Sequence, residues 1–291
     1  MFIIIGIGIV FASVVGGYLM EQGNLSVLWQ PAEFVIILGA AAGALVISSP
    51  KVILKGIISS LTGIFSQKEI TKEDFLELLT LLNQIFWKVR KDGLLSLEAD
   101  VDNPTTSPVF MPYPNIIANK LLIDFLCDNI RVMITSSIPA HDLENLLDTD
   151  IEALSHNKIM SAQGVSKMAD GLPGLGIVAC VLGVVLTMQF INEPPDVLGK
   201  HIGAALVGTF LGVLACYGFV GPIGTNLEHK IKEKEILFNV VKSALISFQM
   251  GIAPQITIET ARRAIPVEQR PFFTEVEEAI KRTKSKESKQ S

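Results

Sequence analysis

Apolar residues are concentrated in four uninterrupted stretches of the chain. These are Met1–Met20, Ala32–Ser49, Gly171–Ile191 and Ile202–Leu227. A hydrocarbon layer of roughly 30 Å is crossed by about 20 residues of α-helix, so each stretch is long enough to span a membrane. None of them contains Lys, Arg, His or Asp, and the only carboxylate is Glu33, at the mouth of the second stretch. The pattern predicts an all-α, multi-pass membrane protein with four transmembrane helices.

The absence of charge within the membrane limits what this chain does alone. Proteins that move ions or protons usually keep an ionisable group there, because such a group is costly in the membrane and is retained for function. The sequence places no such group at mid-membrane. If the chain conducts protons, we expect a partner protein to supply the group that titrates.

The positive charges predict the orientation and the division of the chain. Of 24 Lys and Arg residues, 11 lie between Lys51 and Lys167 and 12 between Lys230 and Lys289. Positively charged segments stay on the cytoplasmic side, so both termini and the middle segment are expected there. The sequence thus predicts a transmembrane hairpin at 1–50, a cytoplasmic helical domain at 51–168, a second hairpin at 169–227, and C-terminal cytoplasmic helices with a disordered tail at 228–291.

The middle segment has helical periodicity. An amphipathic helix is expected over Lys51–Phe65. Thr71 and Asp74 predict the start of a second helix, in which apolar residues recur at i, i+3, i+4 and i+7 as far as Val89. Four prolines predict a series of turns over Ala99–Asn115.

Further helices are expected on either side of the second hairpin. The sequence predicts two of them at Ile116–Met133 and Leu143–Leu154. After the fourth stretch, the alternating charges of Glu228–Glu235 predict that its helix continues, and Leu237–Ile252 is apolar enough to pack on the middle segment. Only the polar end, Lys281–Ser291, is expected to be disordered.

Several classes of function are disfavoured by composition and motifs. The net charge of −5 argues against binding of nucleic acid. Three widely spaced cysteines predict neither a disulfide framework nor a metal site. The stretch Gly174–Ala179 fits a dinucleotide fingerprint, but it lies in a membrane span, whereas a true fingerprint opens a soluble βαβ unit. With no other catalytic motif present, we expect neither an enzyme nor a bound cofactor.

The third and fourth spans each carry a narrow stripe of small, weakly polar residues. Their spacing of i, i+4, i+7 and i+11 places each set on one helix face. The stripes consist of Gly176, Cys180, Gly183 and Thr187, and of Ala205, Thr209, Gly212 and Cys216. Such stripes are typical of helix–helix packing in membranes, but they would equally suit an ion path or the approach of a partner helix, and both alternatives stay open.

Two prolines mark the predicted cytoplasmic ends of these spans. Pro173 lies in the first turn of the third span, where proline is tolerated. Pro222 lies inside the uncharged fourth stretch and predicts a kink, because proline removes a backbone hydrogen bond and clashes with the preceding turn.

On these residues the chain resembles the MotA flagellar stator branch of the MotA/TolQ/ExbB proton-channel family. The third span carries Gly171–Gly183 (GLPGLGIVACVLG), and the fourth carries Gly208–Gly212 (GTFLG) followed by Gly221-Pro222. The resemblance covers essentially the whole chain. It implies that Arg90 and Glu98 contact the rotor, and that Asp150 corresponds to a further acidic position of the cytoplasmic domain.

The resemblance also implies partners and a transported ion. In the family, five MotA-like chains surround the single spans of two MotB-like chains, whose aspartate accepts the ion, and the rotor protein is FliG. The prolines are then expected to couple ion flow to movement. Sodium-driven relatives usually carry Thr where this chain has Cys180, so H⁺ is the expected ion. Two alternatives remain: a TolQ/ExbB-type energiser of an envelope protein, and a non-conducting membrane scaffold.

Overall fold

The computed structural model describes residues 2–64 and 70–290, and within these ranges all regular structure is helical. Four helical segments are long and apolar enough to cross a membrane: Phe2–Met20, Leu25–Ser48, and parts of Ala140–Phe190 and Pro195–Gln249. The predicted all-α fold with four transmembrane helices is confirmed. Met1, Phe65 and Ser291, which belong to segments predicted above, lie outside the described residues.

The N-terminal region forms four helices. They are α1 (Phe2–Met20), α2 (Leu25–Leu28), α3 (Pro31–Ser48) and α4 (Lys51–Gly63). Pro31 suits the first turn of α3, because its fixed φ is already helical and its missing N–H would have no helical partner there. Helix α4 buries Ile53 and Ile57 on one side, as its amphipathic pattern predicts.

The middle segment contains four further helices and a short 3₁₀ turn. They are α5 (Lys72–Asp92), the 3₁₀ turn Leu94–Leu97, α6 (Glu98–Asp102), α7 (Pro114–Ala118) and α8 (Lys120–Thr135). A capping box of Thr71 and Asp74 starts α5, with the Thr71 N–H donating to Asp74 Oδ2 at 2.9 Å. This helix start agrees with the sequence.

The remaining residues form long helices. They are α9 (Ala140–Thr187) with the 3₁₀ turn Met188–Phe190, α10 (Pro195–Leu214), the π-helical turn Ala215–Val220, α11 (Gly221–Gln249), α12 (Pro254–Arg263) and α13 (Phe273–Gln290). The predicted continuation of the fourth span through the charged residues Glu228–Glu235 is observed in α11.

Three local predictions differ from the structure. Residues Leu143–Leu154 and the third span form one helix, α9, since no proline lies between Leu154 and Pro173. Pro173 is therefore interior to a helix of 48 residues. The C-terminal tail, expected to be disordered, is helical in α13 as far as Gln290. Ion pairs at i, i+4, such as Arg282–Glu278 at 3.3 Å, favour this helix.

The described residues form two compact units. One comprises the described residues of Met1–Gln67 with His156–Ile231, and the other those of Lys68–Ser155 with Lys232–Ser291. The divisions at 155/156 and 231/232 fall within α9 and α11, so each of these helices contributes residues to both units. Residues 51–64 and 156–168 of the predicted cytoplasmic domain belong to the first unit, and the division of the chain between membrane and cytoplasm stays a prediction.

The second unit has an apolar core built around α5. Phe86 stacks on Phe248 of α11 with ring centroids 4.5 Å apart, and Phe125 of α8 meets Phe238 edge-on at 5.2 Å. The predicted packing of Leu237–Ile252 on the middle segment is thus observed. Burial raises the pKa of the Cys127 thiol to about 12, which makes it an unreactive core residue.

Candidate functional site

The glycines of the third and fourth spans bring α9 and α10 into backbone contact. A Cβ atom on Gly176 would lie 2.7 Å from the Gly208 carbonyl oxygen and 3.0 Å from the Gly212 Cα. On Gly212, a Cβ would lie 2.6 Å from the Leu172 carbonyl oxygen. Only residues without a side chain allow this approach, so the two helices depend on glycine at these positions.

The same close approach continues along α9. A Cβ on Gly183 would lie 2.7 Å from the Ala205 Cβ. The buried Thr187 hydroxyl donates to the Gly183 carbonyl at 2.8 Å, so it is satisfied within its own helix. The stripe residues Gly176, Gly183, Ala205 and Gly212 therefore contact one another within the chain.

The other stripe residues are less enclosed or buried elsewhere. Cys180 and Thr209 are half-buried, whereas Cys216 is buried against residues such as Ile37 and Ala169. An ion path or a partner contact at these positions stays a prediction. Cys180 and Thr209 are the polar stripe side chains that keep partial exposure.

Glu33 lies in the same cluster, which the sequence did not indicate. Its side chain is buried, and its carboxylate reaches the positions where Gly183 and Gly208 lack side chains. The sequence contained only weak signals that Glu33 belongs to this cluster. Glu33 was the only carboxylate of the spans, and Gly208 stood outside the i, i+4 stripe.

The two prolines have different surroundings. Pro173 is half-buried inside α9, where it cannot donate a hydrogen bond to the carbonyl four residues earlier. Pro222 is exposed and follows the π-helical turn Ala215–Val220, where the Gly221 N–H donates to the Cys216 carbonyl. The fourth span thus departs from α-helical geometry one turn before the predicted kink. Turns of this kind inside α-helices occur frequently at functional sites.

Large apolar side chains cover the outward faces of both helices. Those more than a third exposed in the single chain include Ile177, Val181 and Val185 on α9 and Leu206 and Val213 on α10. In a membrane such faces contact lipid or other helices. The single chain therefore has ample apolar surface for partner helices.

The two charged residues that are predicted to contact the rotor are exposed in the second unit. Arg90 lies near the end of α5 and Glu98 begins α6. The two residues do not share one continuous helix. Gly93 has a φ of +83°, a value that favours glycine, and it ends α5.

An ion pair between a partly exposed lysine and a buried aspartate fixes α6 against α5. Asp100 is 6% exposed, and its Oδ2 lies 2.5 Å from Lys88 Nζ. The Ser107 hydroxyl donates to Asp100 Oδ1 at 2.7 Å, and the Val109 N–H donates to Ser107 Oγ at 3.1 Å. These bonds tie the proline-rich turns to the helices that carry Arg90 and Glu98.

The acidic part of α9 is only partly free. Lys242 Nζ lies 2.6 Å from Asp148 Oδ1, and Asn129 Nδ2 donates to Asp150 Oδ2 at 3.5 Å. Asp150 is half-buried. Among the described residues, no three His, Cys, Asp or Glu side chains are grouped so that they could hold a metal ion.

Comparison with known proteins relates this architecture to a family. Residues 4–93 match the family model "Motility protein A N-terminal", and residues 118–239 match the "MotA/TolQ/ExbB proton channel family". The chain is 38% identical to motility protein A of Escherichia coli K12 over 98% of this chain and 97% of that protein.

Solved structures show the same fold. A chain of the Campylobacter jejuni MotAB structure has a TM-score of 0.78 at 19% identity, covering 93% of this chain and 98% of that one. A chain of the flagellar MotAB stator complex from Bacillus subtilis has a TM-score of 0.74 at 23% identity, covering 92% and 96%.

Proposed function

The chain belongs to the motility protein A family, and on that premise we propose that it is a stator subunit of the bacterial flagellar motor. It forms an ion channel with a MotB-like partner, and ion flow through that channel drives the rotor. The observation that carries the proposal is the 38% identity to the Escherichia coli protein over 98% of the chain. The channel-family match over 118–239 supports it.

The chain is a multi-pass protein of the inner membrane. The distribution of Lys and Arg supports the orientation that we propose, with both termini in the cytoplasm. The connectors between α1 and α3 and between α9 and α10 then face outwards.

The partner is proposed to be a single-span MotB-like protein that supplies an ion-accepting aspartate. Exposed apolar faces on α9 and α10 offer surface for such a span, and the mid-membrane region of this chain carries no acidic group. Five copies of this chain around two partner chains is the proposed assembly. The alternatives are disfavoured, because the N-terminal match over 4–93 is to motility protein A, and a non-conducting scaffold has no need of a buried carboxylate such as Glu33.

The proposed ion is the proton. The half-buried Cys180 is a weak hydrogen-bonding group and a poor ligand for Na⁺. The channel family is named for protons, which agrees with this choice.

Coupling is proposed to pass through the two prolines to the charged face. Pro173 and the π turn before Pro222 each lie where a helix lacks a regular backbone hydrogen bond. Bending the helix at these points therefore costs less free energy than elsewhere. Arg90 and Glu98 are proposed to contact FliG, with Asp150 as a further contact.

Complementation tests the proposed function. The chain, expressed with its own MotB-like partner in Escherichia coli that lacks motility protein A, is expected to restore spreading in soft agar. Membrane-assembled complex without any rotation of tethered cells would contradict the proposal.

Charge reversal tests the rotor contact. Because Arg90 and Glu98 are exposed, Arg90→Glu and Glu98→Lys should hardly change stability, since exposed charges contribute only about 0–1 kcal/mol. Each should impair swimming while the complex assembles normally, because like charges brought together across an interface are costly. Lys120→Glu, an exposed reversal on α8, is the control. If both variants swim as well as the control, the assigned contact is wrong.

A further inference from the structure

Glu33 is a buried acid whose carboxylate is not satisfied. It is 8% exposed, and among the described residues Oε2 has no hydrogen-bond partner. An ionised carboxylate buried without a partner is strongly destabilised, so such a group takes up a proton or a ligand. Ionisable residues inside transmembrane segments are expensive and usually functional. A purely structural role does not explain why this position carries an acid.

The surroundings of Glu33 are built to leave room for its carboxylate. A Cβ on Gly208 of α10 would lie 2.5 Å from Oε2, and a Cβ on Gly183 of α9 would lie 3.6 Å from Oε1. The carboxylate therefore occupies a notch that two missing side chains create between α3, α9 and α10. An alanine at position 208 would collide with the acid itself.

Among the described residues, no ion pair fixes the Glu33 carboxylate as an anion. Besides Glu33, the atoms nearest to a Cβ at Gly183 or Gly208 belong to the uncharged residues Ala179, Cys180 and Ala205. The nearest ionisable residue along α10 is His201, whose ring stacks on Phe190 with centroids 4.2 Å apart. The charge in the notch therefore changes when the Glu33 carboxylate gains or loses a proton.

We propose that Glu33 is a proton-carrying site of this chain, placed between the outer solution and the acid of the partner. The proposal rests on the channel function proposed above and assigns to it a second acidic group. The Glu33 carboxylate accepts a proton from a hydronium ion of the outer phase, which leaves water and a neutral carboxylic acid. The acid then gives that proton through water to an ionised carboxylate of the partner span, which becomes neutral as Glu33 regains its negative charge.

The position of Glu33 suits the first step of such a path. It is the third residue of α3, so about 1.5 Å of rise per residue places it within a turn of the helix start. In the proposed orientation that end of α3 faces outwards. The glycine contacts of α9 and α10 continue inwards from the notch, from Gly183 and Gly208 to Gly176 and Gly212.

Proton flux into liposomes tests the proposal. The chain is reconstituted with its MotB-like partner, and flux is followed with an entrapped pH-sensitive dye under a fixed membrane potential. Glu33→Gln keeps the size of the side chain but cannot ionise, and it should lower flux by about tenfold or more, as expected for loss of a proton-transfer group. Glu21→Gln, the same change at an exposed residue near the end of α1, should leave flux unchanged.

The outcomes separate this inference from the proposed function. A wild-type complex that does not conduct contradicts the channel itself. If the wild type conducts and Glu33→Gln conducts equally with the partner bound in equal amount, the carrier role of Glu33 is wrong. If Glu33→Gln fails to assemble, Glu33→Asp tests the carrier role instead. Its shorter side chain keeps the acid but moves the carboxylate away from Gly208. Its flux should fall and the infrared C=O band of the protonated acid should shift, whereas unchanged flux and an unchanged band would overturn the proposal.

Discussion

Replacing Gly176 with alanine places a methyl group between two helix backbones. The new Cβ would lie 2.7 Å from the Gly208 carbonyl oxygen and 3.0 Å from the Gly212 Cα. Non-bonded carbon atoms are most stable at about 3.5–4.0 Å, so α10 must move by several tenths of an ångström or more. Backbone atoms cannot rotate away as a side chain can. Overpacking of this kind costs about 1–3 kcal/mol.

Gly174 provides a matched control on the same helix. A Cβ at this position has no neighbouring atom within 4 Å. Both substitutions gain the same helix propensity, about 1 kcal/mol for glycine to alanine, and both add one methyl group. The difference between the two variants therefore isolates the contact with α10, and we expect Gly176→Ala to be less stable by about 1–3 kcal/mol.

Unfolding in mixed detergent micelles measures this difference, and soft-agar swimming at two temperatures measures its consequence. Gly176→Ala should unfold at lower denaturant and lose motility first at the higher temperature. Equal unfolding free energies for the two variants would refute the backbone contact between α9 and α10.

Three further predictions concern coupling, the ion and acid stability. Pro173→Ala and Pro222→Ala should restore regular helix and abolish swimming while partner binding, measured by co-purification, is unchanged; a normally swimming Pro173→Ala variant would contradict the coupling role. Swimming speed should be indifferent to Na⁺ at fixed pH and collapse with a protonophore, whereas steep dependence on Na⁺ would reverse the choice of ion. Hydrogen bonds from Arg262, with a further one from Arg263, lower the pKa of Glu259 to about 2 from 4.5. The resulting stabilisation is present above pH 4.5 and is lost as the pH falls through about 2, so Glu259→Gln should remove this part of the acid unfolding profile.

Features determined locally were predictable from the sequence. Helix α5 combines a capping box at Thr71 with apolar positions every three or four residues, and both signals depend on neighbours in the chain. The membrane spans were equally evident, because a long uncharged stretch has few other stable environments. The family motifs in the third and fourth spans then led to the correct family.

Features that depend on distant residues were not predictable. The pair Gly39 and Gly43 has the same small-residue spacing as the other glycines, yet a Cβ at either position meets no atom within 4 Å of the single chain. Gly176 and Gly212, in contrast, touch across two helices. The spacing of residues indicates which of them share a helix face, but it does not indicate which other element packs against that face. For the same reason the position of Glu33 at the edge of a span was evident from the sequence, whereas the notch that receives its carboxylate was not.

The exposed charges and the buried charges of the second unit have separate physical roles. Asp100 is buried and paired with the partly exposed Lys88, so removal of Lys88 leaves a buried carboxylate without its positive partner, which is destabilising. Arg90 and Glu98 are exposed, and their removal costs the fold little. In the rotor contact proposed above, both kinds of charge have a use. The exposed Arg90 and Glu98 are available to the proposed partner without loss of stability, while the Lys88–Asp100 pair holds α6, which begins at Glu98, against α5.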